Sequence, residues 1–448
     1  MSALIVLLTI SFITAMGTVI IKGFDLLPNK KTSEILPYAY GLGVGVVTMQ
    51  LYMYARLHIP WTGVTLFIPW VVIVCVFVVI NSTKTFSSPF KSPTFTKKQL
   101  FLLSAIFVSG CYTFFEVLLR PVSAWDAWAI WLLKAKIFFI DGTIRPAILT
   151  YVKSDYPLVI SLMGTFVYIV LGKIDDTVVL LPFFAFYCFL AVSFYFTLRK
   201  KCNRTYSLLF TLFLVTTQTL IRQGGRLEAG QADLAVGFFG FLSFTLLIEY
   251  IQTSSPRILL LLNIFLALTG LIKFDGIPIT IVIGLSEIIF ILRRKLYKHL
   301  LALGFWLVPL ADWEVYKMVN HVTKYTYFAG HTIVFSLKNT LHVFTQEIKE
   351  LINVKSWNML WIAYFYILFF QWSKKHYELT ILHAIILTQL LIYTFLYLFT
   401  AGNSPESSFE RLLVHVAPLA LYAVVLSAQL FFPEFFKTVP KKYFKRFI

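Results

Sequence analysis

Runs of about 20 apolar residues recur along the whole of this 448-residue chain. A run of that length is enough for an α-helix to cross the hydrocarbon core of a bilayer. Charged residues make up only 13% of the chain, about half of the share that a soluble domain carries. The pattern therefore predicts an all-α protein, a polytopic bundle of transmembrane helices.

Fourteen apolar segments follow one another without a flexible linker, a low-complexity stretch or an internal repeat. They fall near 2–21, 36–56, 61–80, 99–118, 157–172, 177–198, 205–221, 232–252, 257–273, 276–292, 297–311, 356–372, 379–400 and 411–432. The first segment has no basic region ahead of it and is longer than the apolar core of a cleaved signal peptide. We therefore expect it to be a retained span.

The net charge of +18 is carried by short clusters of Lys and Arg between the apolar segments. Cytoplasmic loops that face anionic lipid show this pattern, so the charge does not indicate a nucleic-acid partner. The clearest clusters are Lys84/Lys91/Lys97/Lys98, Arg199-Lys200-Lys201 with Arg204, Arg293-Arg294-Lys295, Lys374-Lys375, and Lys441-Lys442 with Lys445-Arg446.

The segment at 157–172 is expected not to cross the bilayer, because otherwise the clusters at 97–98 and 199–204 could not both be cytoplasmic. A helix lying in the outer interface, or a re-entrant helix, leaves both of its ends outside. About thirteen crossings then remain, with the N-terminus outside and the C-terminus inside. The exterior receives 119–176, 222–231, 273–275, 312–355 and 401–410.

Many ionisable side chains converge on this predicted outer face. Such side chains cost roughly 2.5–3.5 kcal/mol each in the middle of a membrane helix, so those that persist usually line a cavity. The converging residues are Asp126, Asp155, Arg222, Arg226, Glu228, Asp233, Lys273, Asp275, Glu410, Arg411 and His415.

Asp126 lies in a tryptophan-rich segment between two apolar runs. A helix over 125–140 would place Trp128 and Trp131 three residues apart, with Lys134 and Lys136 beyond them. Interfacial helices carry Trp and Lys in this way. Two interpretations stay open, namely a carboxylate that takes part in chemistry and a helix cap on a membrane anchor.

The aspartates at 155 and 233 have the same two interpretations. Asp155 precedes Tyr156-Pro157, and an acidic residue before a proline suits the first turn of a helix. Asp233 opens the span at 232–252 and could cap it in the same way. A plain cap therefore competes with a catalytic role at both positions.

Two basic positions lie at the outer ends of spans. Lys273 begins a Lys-Phe-Asp-Gly turn, and a fixed ammonium there could hold a phosphate or diphosphate oxygen. Arg411 and His415 are four residues apart, so on one helix they would share a face. An interface anchor would explain Arg411 but would leave His415 unexplained.

Several common chemistries have no signature in this chain. No P-loop, GxGxxG or HExxH motif occurs, so nothing indicates nucleotide hydrolysis, a dinucleotide cofactor or a zinc protease. The four cysteines are scattered and predict neither disulfides nor a zinc site. A group transfer here would draw on a donor already activated in the membrane.

The order of these motifs resembles that of the polytopic GT-C glycosyltransferases. An acidic residue in a Trp-rich first outer loop, Trp125-Asp126-Ala127-Trp128, is followed by Asp155-Tyr156-Pro157, and next come Ala232-Asp233-Leu234-Ala235 and Gly270-Leu271-Ile272-Lys273, then Arg411 at the final helix. The similarity covers roughly residues 100–430. It points to the branch with protein O-mannosyltransferases and lipid A aminoarabinose transferases, in its prokaryotic form.

The resemblance implies a division of the chain and departs from the family at two points. Residues 1–98 would be three additional transmembrane helices, 99–432 a GT-C-like catalytic module and 433–448 a basic cytoplasmic tail. The additional helices shift the helix numbering of the family. The large soluble domain of some members is missing, which leaves acceptor recognition unexplained.

The resemblance also implies roles for individual residues. Asp126 would be the general base for the acceptor hydroxyl, and Asp155 would orient the acceptor or a divalent cation, Mg or Mn. Lys273 and Arg411 would neutralise the leaving lipid phosphate in an inverting single displacement. The remaining expected substrate contacts are Asp233, His415, Trp125, Tyr156, Asp275, Arg226 and Glu228.

The implied partners are a polyprenyl-phosphate sugar donor, a lipid, glycan or protein acceptor, and membrane lipids. The expected location is the plasma membrane, with the active site on its extracytoplasmic side. A transporter or flippase of lipid-linked glycans is the main alternative, since basic residues in a membrane cavity also serve translocation. A non-catalytic scaffold is the third possibility.

Overall fold

The structure, a computed structural model, describes residues 1–28, 30–81, 94–146, 153–322, 336–371, 376–399, 404–432 and 436. These residues form α-helices with short 3-10 and π-helical turns, and no β-strand occurs among them. The helices are α1 (Ser2–Gly23), α2 (Thr32–Arg56), α3 (Gly63–Asn81), α4 (Lys97–Leu119), α5 (Leu132–Asp141), α6 (Val159–Leu171), α7 (Leu181–Arg199), α8 (Arg204–Val215), α9 (Gln218–Gly224), α10 (Asp233–Thr253), α11 (Pro256–Ile272), α12 (Ile277–Arg293), α13 (Gly304–Val319), α14 (Leu337–Leu351), α15 (Val354–Trp357), α16 (Leu360–Gln371), α17 (Tyr377–Phe399), α18 (Pro405–Leu413) and α19 (Ala417–Phe431). The all-α prediction is confirmed for this part of the chain.

Six helical stretches in the described part are long and apolar enough to cross a bilayer. They are Ser2–Gly23, Lys97–Leu119, Val178–Arg199, Asp233–Thr253, Phe274–Arg293 and Tyr377–Phe399. The pair α18 and α19, bent by 53°, makes a seventh if it counts as one span. This is the architecture of a helical membrane protein, while the figure of about thirteen crossings stays a prediction.

Helix α10 lies at the centre of the bundle, and nearly all of its side chains are buried. It packs against α7, α11, α12 and α19. Its first residue, Asp233, therefore lies close to the end of α11, the start of α12 and the break between α18 and α19. This meeting of helix ends positions the candidate site.

The two N-terminal helices belong to the same packed body. Helices α1 and α2 pack against each other and against α6 and α7. Their crossing is closest at two glycines, because a Cβ on Gly17 would lie 1.9 Å from the Ala39 carbonyl oxygen and one on Gly43 would lie 2.1 Å from that of Ile13. Small residues allow helix backbones to approach in this way within membranes.

The helix over 157–172 is shorter than predicted and is enclosed by protein. Helix α6 begins at Val159, and every residue from 159 to 168 is buried. A helix lying at a surface would expose one face. Protein therefore surrounds α6, and its failure to cross the bilayer stays a prediction.

Four predicted spans are interrupted in the structure. The segment at 297–311 begins as a 3-10 helix, Tyr297–Leu303, before α13, and the segment at 356–372 begins in the last residues of α15 and continues in α16. The segment at 205–221 divides into α8 and α9, and the segment at 411–432 begins earlier and divides into α18 and α19. Helix α18 is amphipathic, with Glu406, Glu410 and Arg411 among its nine residues, so it is not a uniform apolar run. The basic clusters at 84–91, 374–375 and 441–446 lie outside the described residues, as does the tail at 433–448 except for Phe436.

Candidate functional site

A cavity of about 170 Å³ lies where α17, α18, the turn after α11 and the 126–156 segment meet. Its lining is formed by Asp126, Ile130, Lys153, Tyr156, Lys273, Asp275, Leu396, Tyr397, Ser407, Ser408, Arg411 and Leu412. The resemblance assigned catalytic or substrate-binding roles to eleven residues. Five of them are in this set: Asp126, Tyr156, Lys273, Asp275 and Arg411. The structure thus brings residues 285 positions apart in the chain to one concave surface.

Asp126 faces Arg411 and does not cap a helix. It precedes a π-helical turn, Ala127–Trp131, and its side chain makes no capping hydrogen bond. Instead, Arg411 Nη1 donates to Asp126 Oδ2 at 2.6 Å. Both side chains keep about a fifth of their surface exposed, 20% for Arg411 and 23% for Asp126, so the pair stays open to the cavity.

The π-helical turn changes the expected arrangement of the tryptophans. Trp128 is exposed while Trp131 is buried, so only one of the two rings lies at the surface. Trp131 instead stacks on Tyr156, with ring centroids 5.4 Å apart. A π-turn closes through i→i+5 bonds and rotates the following residues relative to an α-helix, which accounts for the difference.

Lys273 is buried between two carboxylates. Its Nζ lies 2.7 Å from Asp233 Oδ1 and 2.9 Å from Asp275 Oδ2. Asp233 is the acidic residue in the first turn of α10, whose N-cap is Ala232, and its Oδ1 contacts both Lys273 and His415. Lys273 is the C-cap of α11 and has an extended backbone. Its side chain therefore reaches Asp233 at the start of α10 and Asp275 in the following turn.

His415 extends this cluster into the bundle. Its Nε2 lies 2.9 Å from Asp233 Oδ1, and its Nδ1 lies 2.5 Å from the Tyr393 hydroxyl. Gln389 Nε2 in turn donates to the Tyr393 hydroxyl at 2.5 Å and to the Asp275 carbonyl at 2.7 Å. The chain of contacts closes on itself and holds Asp233, Lys273 and Asp275 in fixed positions.

Arg411 and His415 do not share a helix face, contrary to the sequence prediction. Helix α18 ends at Leu413 and α19 begins at Ala417, so His415 lies in the break between them. The bend of 53° directs Arg411 to Asp126 and His415 to Asp233. Both residues still belong to the same cluster of charges, one at the cavity wall and one beneath it.

Asp155 is buried next to the cavity but is not part of its lining. Helix α6 is preceded by Leu158, so Asp155 does not cap it. Burial raises the pKa of Asp155, and the charges of Lys317 and Lys134 oppose that rise. Its Oδ1 has no hydrogen-bond partner among the described residues. Its neighbour Tyr156 lines the cavity.

Lys134 is buried, although the sequence predicted that it lies on a helix in the membrane interface. Its Nζ donates to the Lys153 carbonyl at 2.7 Å. Burial lowers its pKa to about 7, with Asp155 acting in the opposite direction. Lys136, which follows on the other side of the helix, is half-buried and pairs with Asp176 at 2.7 Å.

This buried lysine predicts a pH dependence of stability. Between pH 7 and its ordinary pKa near 10.5 the unfolded chain binds more protons than the folded protein, so the free energy of unfolding rises with pH. We expect Lys134→Met to remove a slope of up to about 1.4 kcal/mol per pH unit. Thermal unfolding midpoints measured from pH 7 to 10 test this, with Lys136→Met as a control that keeps the wild-type slope. An unchanged slope in Lys134→Met contradicts the assignment.

Arg226 and Glu228 lie in a second charged cluster outside the cavity lining. Arg222 pairs there with Glu228 and, at 3.0 Å, with Glu410, while Arg226 Nε approaches Glu116 at 4.0 Å. Burial raises the pKa of Glu228, and the Arg222 charge lowers it. Glu410 directly precedes Arg411, so this cluster lies beside the cavity and can support its wall.

Trp125 also lies outside the cavity lining, and 53% of its surface is exposed. The exposed Trp125 and Trp128 fit the membrane-anchor interpretation of this segment. The sequence analysis did not select six further polar residues that line the cavity or contact the charged cluster, namely Lys153, Tyr397, Ser407, Ser408, Tyr393 and Gln389. The two serines lie in the polar Ser-Pro-Glu-Ser-Ser stretch before Arg411, which was the available signal, whereas Tyr393 and Gln389 lie inside an apolar run.

The described residues contain no group of three or more His, Cys, Asp or Glu side chains arranged to hold a metal ion. Asp233 and Asp275 both contact Lys273 instead. No protein-family model matches this chain, and neither a curated protein nor a solved structure is significantly similar to it. The geometry of the cavity and the order of the motifs are therefore the observations that bear on function.

Proposed function

We propose that the protein is a membrane glycosyltransferase of the GT-C type. In this proposal it moves a sugar from a polyprenyl phosphate to an acceptor at the outer face of the plasma membrane. One observation carries the proposal: a single cavity contains two basic side chains suited to a phosphate, Lys273 and Arg411, next to a carboxylate suited to a hydroxyl, Asp126. The acceptor, whether lipid, glycan or protein, is not specified by these residues.

Arg411 has a donor left for a ligand. Its Nε is buried and has no hydrogen-bond partner among the described residues. Buried donors rarely lack a hydrogen bond. Its Nη1 is already paired with Asp126. A phosphate oxygen at Nε would satisfy this donor, and a second phosphate oxygen would accept from Nη2, whose N–H lies on the same edge of the guanidinium.

Binding of the phosphate and activation of the base are coupled in this proposal. A phosphate bound at the Nε–Nη2 edge of Arg411 takes up the guanidinium charge that holds Asp126 and so weakens the hydrogen bond from Nη1 to that carboxylate. The released carboxylate then accepts the proton of the acceptor hydroxyl while that oxygen attacks the anomeric carbon. The bond between the anomeric carbon and the phosphate oxygen breaks, the electron pair leaves with the phosphate, and the configuration inverts.

Lys273 and Arg411 would stabilise the charge that develops on the leaving phosphate. Asp233 and Asp275 hold the Lys273 ammonium in place before the donor arrives. Such preorganisation means that the side chain has little reorientation to make during the reaction. Ser407 and Ser408 supply hydroxyl groups at the same wall, where the sugar or the acceptor can be bound.

The charge distribution along α10 supports an outer location for the cavity. Asp233 begins this helix, and Glu249, sixteen residues later and therefore about 24 Å along the axis, pairs with Lys30 at 2.5 Å and Lys200 at 3.2 Å. Lys200 and Lys201 belong to a basic cluster of the type found on the cytoplasmic side. In the proposed topology of about thirteen crossings, the cavity then opens on the opposite, extracytoplasmic side.

The experiment that tests this function uses purified protein in proteoliposomes with labelled polyprenyl-phosphate sugars and a panel of acceptors. We expect release of polyprenyl phosphate together with transfer of the label. Movement of intact donor between leaflets without cleavage would instead identify a transporter or flippase. If the donor is neither cleaved nor moved, the chain is a scaffold for other proteins, and the proposal is wrong.

A further inference from the structure

Helix α14 presents three faces of different chemistry. Its exposed apolar side chains form one row, made by Leu337, Leu341, Phe344 and Ile348. Its exposed polar side chains form a second row, made by Lys338, His342, Thr345 and Lys349. Its buried or half-buried side chains form a third, made by Asn339, Thr340, Val343, Gln346, Glu347, Glu350 and Leu351. With 3.6 residues per turn, the apolar and polar rows are about 100° apart around the axis.

The buried row attaches α14 to the elements that form the cavity. Glu347 accepts hydrogen bonds from the Thr394 hydroxyl at 2.9 Å to each carboxylate oxygen, and Asn339 Nδ2 donates to the Tyr397 carbonyl at 3.4 Å. Tyr397 lines the cavity. One residue of the polar row contacts protein as well, because His342 Nε2 lies 2.6 Å from Glu406 of α18. The protein face of α14 is thus polar and occupied, and the apolar row points away from it.

A helix that packs against α14 also exposes apolar side chains. Helix α14 packs on α17, one of the helices able to span a membrane. The exposed side chains of α17 include Leu391 and Phe395, which are 69% and 51% exposed. Both residues lie within one helical turn of Thr394, which contacts Glu347 of α14, so exposed apolar side chains of a spanning helix lie close to α14.

We infer that α14 lies in the membrane–water interface at the cavity end, with its apolar row among the acyl chains and its polar row in water. Lipid is the partner, because an apolar row flanked by lysines is the pattern of a helix lying in an interface with anionic or zwitterionic headgroups. A helix wholly in water would expose an uncovered apolar row. The inference holds whether or not the protein is a transferase, and it sets the cavity at the depth of the lipid headgroups.

Site-directed spin labelling of the full chain in lipid vesicles tests this inference. The background carries alanine at Cys75, Cys111 and Cys188 and keeps the buried Cys202, which must give no label signal. Single nitroxides are then placed at Leu341, Phe344 and Ile348, and at Lys338, Thr345 and Lys349 on the polar row. Collisions with oxygen report on lipid, and collisions with a water-soluble nickel chelate report on water.

We expect a severalfold higher ratio of oxygen to nickel collisions on the apolar row than on the polar row, with the apolar-row labels about 5–10 Å below the headgroup boundary. Equal nickel accessibility on the two rows would place the helix in water and would overturn the inference. Protection of the apolar row from both probes would show that protein covers it, and this also overturns the inference. All labelled positions are exposed, so each variant is expected to retain the unfolding midpoint of the background.

Discussion

Replacing Asp126 by asparagine is expected to lower sugar transfer by about 100- to 10,000-fold, the usual contribution of a general base. An amide cannot take the acceptor proton, although it keeps the size of the carboxylate. Donor binding should be retained or become tighter, because Arg411 loses the carboxylate that competes with the phosphate for the guanidinium charge. Transfer rates and the dissociation constant of the donor, measured on the same preparation, test both effects.

The matched control for Asp126→Asn is Asp176→Asn. Asp176 is also ion-paired, with Lys136 at 2.7 Å, but it does not line the cavity. This control variant should transfer sugar at the wild-type rate. Full activity in Asp126→Asn would show that another group removes the proton, and a loss of donor binding in that variant would contradict the competition between phosphate and carboxylate.

Replacing Lys273 by methionine is expected to have the largest effect on stability. It leaves Asp233 and Asp275 buried without the ammonium that neutralises them, and breaking a buried ion pair in this way typically costs 3–5 kcal/mol. The same change removes a cation from the phosphate site. We therefore expect a lower unfolding midpoint together with weakened donor binding and nearly unchanged acceptor binding.

A second substitution separates these two effects. In Lys273→Met combined with Asp233→Asn, one of the two uncompensated carboxylates is gone, so part of the lost stability should return while donor binding stays weak. Lys200→Met serves as the control, because Lys200 is half-exposed and its pair with Glu249 belongs to a class worth about 0–1 kcal/mol. Recovery of donor binding in the double variant, or equal loss of donor and acceptor binding in the single variant, would argue against a phosphate site at Lys273.

The convergence of distant residues on one cavity could be predicted from the sequence. Ionisable side chains at span ends are costly unless they share a polar site, and the alternation of spans indicated which ends lie on the same side. That reasoning selected Asp126, Lys273, Asp275 and Arg411, all of which line the cavity. The sequence pattern indicates which residues lie at one end of the helix bundle, but not which of them form ion pairs.

The finer arrangement depends on local irregularities that apolar periodicity does not reveal. The π-helical turn at 127–131 buries Trp131 and exposes Trp128, and the following helix buries Lys134. The break between α18 and α19 separates Arg411 from His415. Tyr393 and Gln389 lie within an apolar run of the sequence, although both are buried against the charged cluster. Each of these outcomes is decided by tertiary packing, which hydrophobic pattern alone does not encode.

The most direct measurement is a cryo-electron microscopy structure of the protein in nanodiscs with a polyprenyl phosphonate sugar that cannot be cleaved. The proposed mechanism predicts the phosphonate in contact with Lys273 and with the Nε–Nη2 edge of Arg411, and the Asp126 carboxylate turned from Arg411 towards the space beside the anomeric carbon. A headgroup bound elsewhere, such as at the Lys30–Glu249–Lys200 cluster, or an Asp126–Arg411 pair still intact beside the bound donor, would contradict it.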